Sequence, residues 1–273
     1  MISNLRLNKI FWSIPSIAAM LAAIGGILFR NIYTNLFPPD FLPGAFYQDV
    51  LTVVVCVFLL ILIGATKENH FKKQIIIIGL IGSFFYLYGI FTIERVYNWF
   101  YLLYAIVFSS SFWSIVYSLS QLRLEAFATL QLNSAMRKTT AISSIIIAVL
   151  FTFLWTTALI PLMREHNRIE YLYSIYILDL CFIMPAFFIT SILSLRKLPF
   201  GILMGPAIMI CGFFVIFPLG LNELAKPSVG MQVNWGAMIM SFGFASFMLT
   251  IAVLQIKMIS LKLFRPFSER QNT

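Results

Sequence analysis

Long apolar runs alternate with short polar connections along almost the whole chain. Each run has roughly the 20 residues that a helix needs to cross the hydrocarbon core of a bilayer. Eight runs are predicted to be membrane-spanning helices: 10–29, 48–66, 74–93, 99–119, 140–162, 172–195, 200–221 and 235–256. The pattern therefore predicts an all-α fold, in which a bundle of eight transmembrane helices forms a single transmembrane domain over residues 1–273.

The composition explains why lipid is the expected solvent. The 273 residues are 60% hydrophobic and 11% charged, with a mean hydropathy of +0.92, and a water-soluble domain of this size cannot hide so much apolar surface. The net charge of +9 would fit a nucleic-acid partner, but the basic residues lie in short runs between apolar segments and form no continuous patch. We expect the lipid bilayer as partner and no nucleic acid.

The basic residues also predict an orientation. With the N-terminus in the cytoplasm, 14 of the 19 Lys and Arg residues fall on the cytoplasmic side and 5 on the outer side. Cytoplasmic connections of membrane proteins carry such an excess. The sequence thus predicts a multi-pass plasma-membrane protein with both termini in the cytoplasm. Trp99, Trp155 and Trp235 lie near the predicted outer boundary and Trp12 near the inner one, as interfacial rings do.

The chain divides into two halves, 1–121 and 139–273, joined by a linker at 122–138 that is predicted to form a short interfacial helix. The second span of each half gives the best internal match: YQDVLTVVVCVFLLILIGATK carries Asp49, and YILDLCFIMPAFFITSILSLRK carries Asp179. Each half begins in the cytoplasm, so the halves would form a parallel 4+4 repeat. Chance similarity between hydrophobic helices is the alternative.

Three stretches carry a resemblance to other proteins. YQDVLTVVV, YNWFYLLYAIVFSSSFW (97–113) and YILDLCFIMPAFF…LRKLPFG (176–201) are similar to segments of a widespread set of uncharacterised bacterial multi-spanning membrane proteins. Those proteins have an Asp in the corresponding spans and a Pro after it in the later one. The resemblance implies a helical membrane fold in a bacterial membrane, and it implies no substrate or catalytic residue because the set has no established activity.

Asp179 is the central candidate residue because it lies about two turns inside a predicted span. An ionised carboxylate at that depth costs at least about 2.5 kcal/mol unless it is paired or hydrated. Phe182, Ile183, Ala186 and Thr190 follow it at helical spacing, and the small and polar members of this stripe favour the bundle interior. The functional interpretation is a proton or cation site that faces an outward cavity. The structural alternative is a buried aspartate that fixes helix register.

Pro185 is the predicted hinge of the same span. It has no backbone N–H, so it frees a carbonyl in the preceding turn and bends the helix. Simple structural bending is the alternative, because proline is common in membrane helices.

Other polar residues lie at predicted outer helix ends. Together with Asp179 they could form an acidic vestibule that recognises a small molecule or an ion, and the members are Asp49, Glu94, Arg95, Asn222 and Glu223. The alternative is a set of ordinary solvated helix ends, in which neighbouring arginines neutralise the carboxylates.

Several kinds of chemistry have no support in the sequence. Cys56, Cys181 and Cys211 fall in apolar segments without a metal-binding spacing, and His70 and His166 lie in loops on opposite predicted faces. No Gly-x-Ser-x-Gly, P-loop or dinucleotide motif is present. The sequence therefore indicates no metal site and identifies no cofactor.

These observations predict a transporter-like protein for a small solute or ion, with Asp179 as its ionisable group. A receptor or accessory subunit, working with a protein partner or as a homo-oligomer, is the first alternative. A membrane-embedded enzyme that acts on a lipid or isoprenoid is the second alternative. A water-filled path to Asp179 would favour transport, a copurifying partner would favour the accessory role, and converging polar side chains at a lateral opening would favour an enzyme.

The orientation predicts which loops a membrane-impermeant thiol reagent reaches. In a variant whose native cysteines are replaced, His166→Cys should be labelled from outside intact cells and His70→Cys only after the membrane is opened. The reverse pattern would contradict the orientation that the basic residues predict.

Overall fold

The structure is a computed structural model that describes residues 2–123 and 130–261. Within these residues, eight helices are long and apolar enough to span a membrane, which confirms the number and places of the predicted spans. The helices are α1 Leu5–Leu28, α2 Leu42–Gly64, α3 Phe71–Ile93, α4 Tyr101–Ser120, α5 Ser134–Glu165, α6 Tyr173–Leu195, α7 Pro199–Ala225 and α8 Trp235–Met258. Single 3-10 turns at Arg30–Tyr33, Pro39–Phe41 and Lys226–Val229 lie between them.

Seven of the eight helices extend beyond one or both ends of the apolar runs that predict them, and α6 lies within its run. The largest extension is in α5, which has 32 residues and is therefore about 48 Å long at 1.5 Å per residue. The hydrocarbon core is only about 30 Å thick. Polar residues near the ends of α5, such as Arg137 and Glu165, therefore continue the helix beyond the apolar run instead of terminating it.

The linker between the halves differs from the interfacial helix that we expected. Leu130–Gln131 forms β1, which pairs antiparallel with Ser260–Leu261, here β2. The next helix, α5, begins at Ser134. The helical interpretation is therefore wrong for 130–133, and residues 124–129 lie outside the described part of the chain.

Short connections make successive helices cross the bundle in alternating directions. We call the end where α1 begins and α8 ends the proximal end, and the opposite end the distal end. The distal end holds the connections at 29–41, 94–100, 166–172 and 226–234. The proximal end corresponds to the predicted cytoplasmic side, and that assignment stays a prediction.

The middle of the bundle is formed by α3 and α7, the two most buried helices. Both pack along each other, with α4 beside α3 and with α2, α6 and α8 beside α7. Gly79 permits this approach, because a Cβ there would lie 2.7 Å from the carbonyl oxygen of Ala207. The outermost helices are α5 and α8, whose apolar faces are largely exposed, as lipid-facing surfaces are.

Polar side chains join α1 to α4 near the proximal end. The indole of Trp12 donates to Ser118 Oγ at 2.8 Å, and Ser118 donates to Asn8 Oδ1 at 2.9 Å. Trp12 is fully buried, so its predicted interfacial role is wrong. In hydrocarbon these groups find partners only in one another, which explains why α1 and α4 are held in register.

The parallel 4+4 repeat stays a prediction. Pairs α1–α2 and α5–α6 both pack closely, as do pairs α3–α4 and α7–α8. The agreement ends there, because α1 packs along α4 whereas α5 touches α8 only slightly.

Gly201 provides a test of the turn between α6 and α7. A Cβ at this position would collide with the backbone of Ser194 and lie 2.7 Å from the carbonyl oxygen of Thr190. We expect Gly201→Ala to lower the free energy of unfolding by about 1–3 kcal/mol, the usual cost of overpacking. Gly243→Ala is the matched control, since a Cβ there meets nothing within 4 Å. Thermal unfolding of both variants in one detergent measures the difference, and equal midpoints would contradict the expected clash.

Candidate functional site

A cavity of about 230 Å³ opens among α2, α3, α5, α6 and α7 in the distal half of the bundle. Distal connections border it at Pro38 and Leu172, and its lining continues inward to Tyr86 and Asp179. Asp179 lies six residues after the start of α6, which places it roughly 9 Å below that helix end. The wall of this distal cavity thus includes the carboxylate that the sequence singles out.

Two aromatic side chains lie beside the Asp179 carboxylate. The indole Nε1 of Trp155 on α5 donates to Oδ2 at 2.6 Å, and Tyr86 on α3 lines the same cavity wall. Asp179 is 4% exposed. The neutral donor of Trp155 therefore joins α5 to α6 and lowers the cost of burying the charge without cancelling it.

No cationic side chain pairs with Asp179 in the described residues. Arg95 donates from Nε to the hydroxyl of Tyr173 at 3.0 Å, and Arg30 lies over the ring of Phe46 at 4.1 Å. Both arginines thus pack against aromatic rings at the distal surface.

A π-helical turn, Asp179–Ile183, interrupts α6 directly before Pro185. The N–H of Met184 donates to the carbonyl of Asp179, five residues back instead of four. Proline has no N–H for the carbonyl four residues before it, and a π-turn accommodates such a break in the ladder. The predicted disturbance at Pro185 thus takes the form of one extra residue in the turn that contains Asp179.

The extra residue splits the stripe that the sequence placed on one face. Asp179 lines the distal cavity, whereas Phe182, Ile183, Ala186 and Thr190 line a second cavity of about 300 Å³. This proximal cavity lies among α3, α4, α6 and α7 and extends to Leu119 and Phe200 near the proximal end. The contact between the rings of Phe85 and Phe182, with centroids 5.3 Å apart, lies in its wall.

Among the other candidates, Glu94 and Asn222 join Asp179 in the distal cavity. Glu94 lines that cavity, and its Oε1 accepts the N–H of Ser174 at 2.8 Å, at the start of α6. Arg95 follows it in a left-handed conformation with φ 57°. Glu223 pairs with Lys226 at 2.6 Å and accepts the N–H of Asn234 at 3.0 Å, which closes the turn between α7 and α8.

Asp49 belongs to a separate buried cluster among α1, α2 and α4. The hydroxyl of Tyr33 donates to Asp49 Oδ2 at 2.9 Å and lies 3.5 Å from the hydroxyl of Tyr104, which also accepts from Asn98 at 3.0 Å. Burial and the neighbouring carboxylate raise the pKa of Tyr33 well above its ordinary value, so its hydroxyl keeps the proton that it donates. The Asp49 carboxylate packs against Gly26 of α1, where a Cβ would occupy the same space.

Two amide side chains in the distal cavity have unpaired oxygens. Asn222 is 7% exposed, and its Nδ2 donates to the carbonyl of Asp40 at 3.1 Å. Its Oδ1 and the Oε1 of Gln48 are buried without a hydrogen-bond partner in the described residues. Both residues line the distal cavity, so the cavity wall contains acceptors that have no donor.

Sequence reasoning missed the role of Trp155 and of Gln48. Trp155 is predicted above as an interfacial ring, and its hydrogen bond to Asp179 is a contact that this interpretation does not include. Because the two residues are 24 positions apart on neighbouring helices, only the packing brings them together. A signal existed for Gln48, since an amide inside an apolar span marks an interior position.

The residues that line the distal cavity include no histidine or cysteine. In the described parts of the chain, no group of three His, Cys, Asp or Glu side chains is placed to hold a metal ion. Comparisons with protein-family models, curated proteins and solved structures gave no match for this chain. Its chemistry must therefore be argued from the site itself.

Tyr33→Phe tests whether the Asp49 cluster is structural. The change keeps the ring but removes the donor to a buried carboxylate, and we expect it to lower the free energy of unfolding by about 1–3 kcal/mol. Tyr47→Phe is the control, because the Tyr47 side chain is exposed and its hydroxyl has no hydrogen bond within the described residues. Thermal unfolding of the two purified variants should separate them, and equal stability would show that the Tyr33 hydrogen bond contributes nothing.

Proposed function

We propose that this chain is a transporter-like protein for a small solute or ion, and that Asp179 is its proton or cation site. We place it in the plasma membrane of a bacterium with both termini in the cytoplasm. The observation that carries the proposal is a membrane-embedded carboxylate, without a cationic partner in the described residues, in the wall of a cavity that borders the distal connections.

The energetics of Asp179 support this role. A charge in the membrane interior is costly, and in membrane proteins such residues commonly mark ion or proton paths. The neutral donor Trp155 leaves the charge of Asp179 without compensation. Binding a proton or a cation would supply that compensation, so the occupancy of the site and the state of the bundle are expected to be coupled.

The two cavities support a route through the bundle. One cavity borders the distal connections and the other extends towards the proximal end, and α6 contributes to both through its π-turn. Interrupted helices are the usual place for a solute site in transporters. Pro185, as the proposed hinge, would let the two halves of α6 move relative to each other during alternating access.

A receptor or accessory subunit would use the same distal cavity for binding without transport. An enzyme on lipid or isoprenoid substrates has less support, because the only carboxylic acids in the lining of that cavity are Asp179 and Glu94, and the lining has no basic residue to work with them. Solute flux is the measurement that separates transport from the receptor role.

The test is flux into proteoliposomes that contain a luminal pH dye and are held at an inside-negative membrane potential. We expect luminal pH, or the membrane potential read by a potential-sensitive dye, to change when at least one solute of a panel is added, namely Na⁺, an amine, an amino acid or a sugar. Asp179→Asn keeps the shape and an acceptor but removes the titration, so it should abolish the response. Glu170→Gln, which removes an exposed carboxylate near the distal end, should keep it.

Folding controls accompany this test. Asp179→Asn should unfold at the wild-type temperature, whereas Asp179→Leu should lose about 1–3 kcal/mol of stability because Trp155 loses its acceptor. A wild-type protein that gives no signal above protein-free liposomes with any solute of the panel would overturn the transport function. An unchanged response of folded Asp179→Asn would overturn the role of Asp179.

A further inference from the structure

The charged residues that line the distal cavity are all acidic. Its lining contains two carboxylates, Asp179 and Glu94, and no lysine, arginine or histidine. This contrasts with the whole chain, which carries a net charge of +9. Charge complementarity favours a cationic ligand in such a cavity and disfavours an anionic one.

The residues in the cavity wall favour an organic cation over an inorganic one. A hard inorganic ion such as Ca²⁺ takes six to eight oxygen ligands, whereas most residues that line this cavity are apolar or aromatic. The aromatic members are Phe37, Phe41, Tyr86, Phe91, Phe151, Trp155 and Tyr171. Rings of this kind attract an organic cation through their negative faces and bury its apolar body.

The unpaired acceptors point to a ligand that donates hydrogen bonds. The Nδ2 of Asn222 donates to the carbonyl of Asp40, so the unpaired atom of this side chain is Oδ1. That oxygen lies beside Gly44 in the cavity wall. A buried acceptor without a partner lowers stability, so a ligand that supplies a donor is favoured there. An ammonium group with N–H donors would satisfy this oxygen or that of Gln48 as well as the carboxylates.

The volume limits the size of the ligand. Pockets for drug-sized molecules measure about 300–1,000 Å³, and the distal cavity measures about 230 Å³. One ring or a short branched chain is therefore the largest body that we expect it to hold.

We propose that the distal cavity binds a small organic ammonium ion, with its nitrogen near Asp179 and its apolar body among the aromatic rings. This inference rests on the proposed function, since it names the class of solute that enters at Asp179. The expected ligand carries at least one N–H and an apolar group of about the size of a phenyl ring.

Three probes of similar size and different charge test the proposal. Phenethylammonium, 2-phenylethanol and phenylacetate are titrated calorimetrically into the full-length protein in nanodiscs, and titrations into protein-free nanodiscs correct for partition into lipid. We expect saturable binding of phenethylammonium at one site per chain, about tenfold or more weaker binding of the alcohol, and no saturable binding of phenylacetate. Equal binding of the three probes, or no saturable binding of the ammonium ion, would overturn the proposal.

Variants then locate the site. Asp179→Asn should weaken phenethylammonium binding about tenfold or more and leave 2-phenylethanol unchanged, because only the cation uses the charge. Glu170→Gln should bind both probes as the wild type does. An equal effect of the two variants on the ammonium ion would place the site elsewhere. If Asp179→Asn does not fold, the wild-type preference for the cation over the alcohol still decides whether the ligand class is correct.

The outcome separates this inference from the transport function. Asp179-dependent flux of another solute without phenethylammonium binding would keep transport and overturn the ligand class. Asp179-dependent binding of phenethylammonium without flux in proteoliposomes would keep the ligand class and assign the cavity to a receptor role.

Discussion

A polar group inside a bilayer has no water with which to form hydrogen bonds, and this constraint organises the polar side chains of the bundle. Trp12, Ser118 and Asn8 satisfy one another between α1 and α4. Arg137 is buried and donates to the carbonyls of Ser194 and Leu195, the last two residues of α6. Because hydrocarbon cannot compete for these groups, a few hydrogen bonds fix which helices are neighbours, and packing of small residues such as Gly79 completes the interface.

The two embedded aspartates satisfy the constraint in different ways. Asp49 accepts a hydrogen bond from Tyr33 inside a buried cluster. It is not among the residues that line the distal cavity, which fits a structural contact. Asp179 also has a neutral donor, but it lies in a cavity wall. Both aspartates are buried, so the difference between them is the cavity beside Asp179, which a binding site requires in addition to a carboxylate.

Hydrophobic run length predicted all eight helices, because the width of the hydrocarbon core fixes the length of any segment that crosses it. The same rule gives no information about neighbours. The aromatic neighbours of Asp179 lie 93 residues before it at Tyr86 and 24 residues before it at Trp155, and one sequence contains no signal that links such positions. Helical periodicity also failed at α6, because it assumes 3.6 residues per turn and the π-turn adds one residue.

That added residue explains how one helix can serve two cavities. In an uninterrupted α-helix, Asp179 would share a face with Phe182, Ile183 and Ala186, the face of α6 that lines the proximal cavity. One extra residue turns Asp179 by roughly 100° relative to the residues after it, towards Trp155 and the distal cavity. A regular helix would be more stable locally, and π-turns in proteins are concentrated at functional sites for this reason. Pro185 explains why the regular form is not open to α6, because proline cannot supply the hydrogen bond to the carbonyl four residues before it. The turn that results gives the carboxylate its position in the wall of the distal cavity.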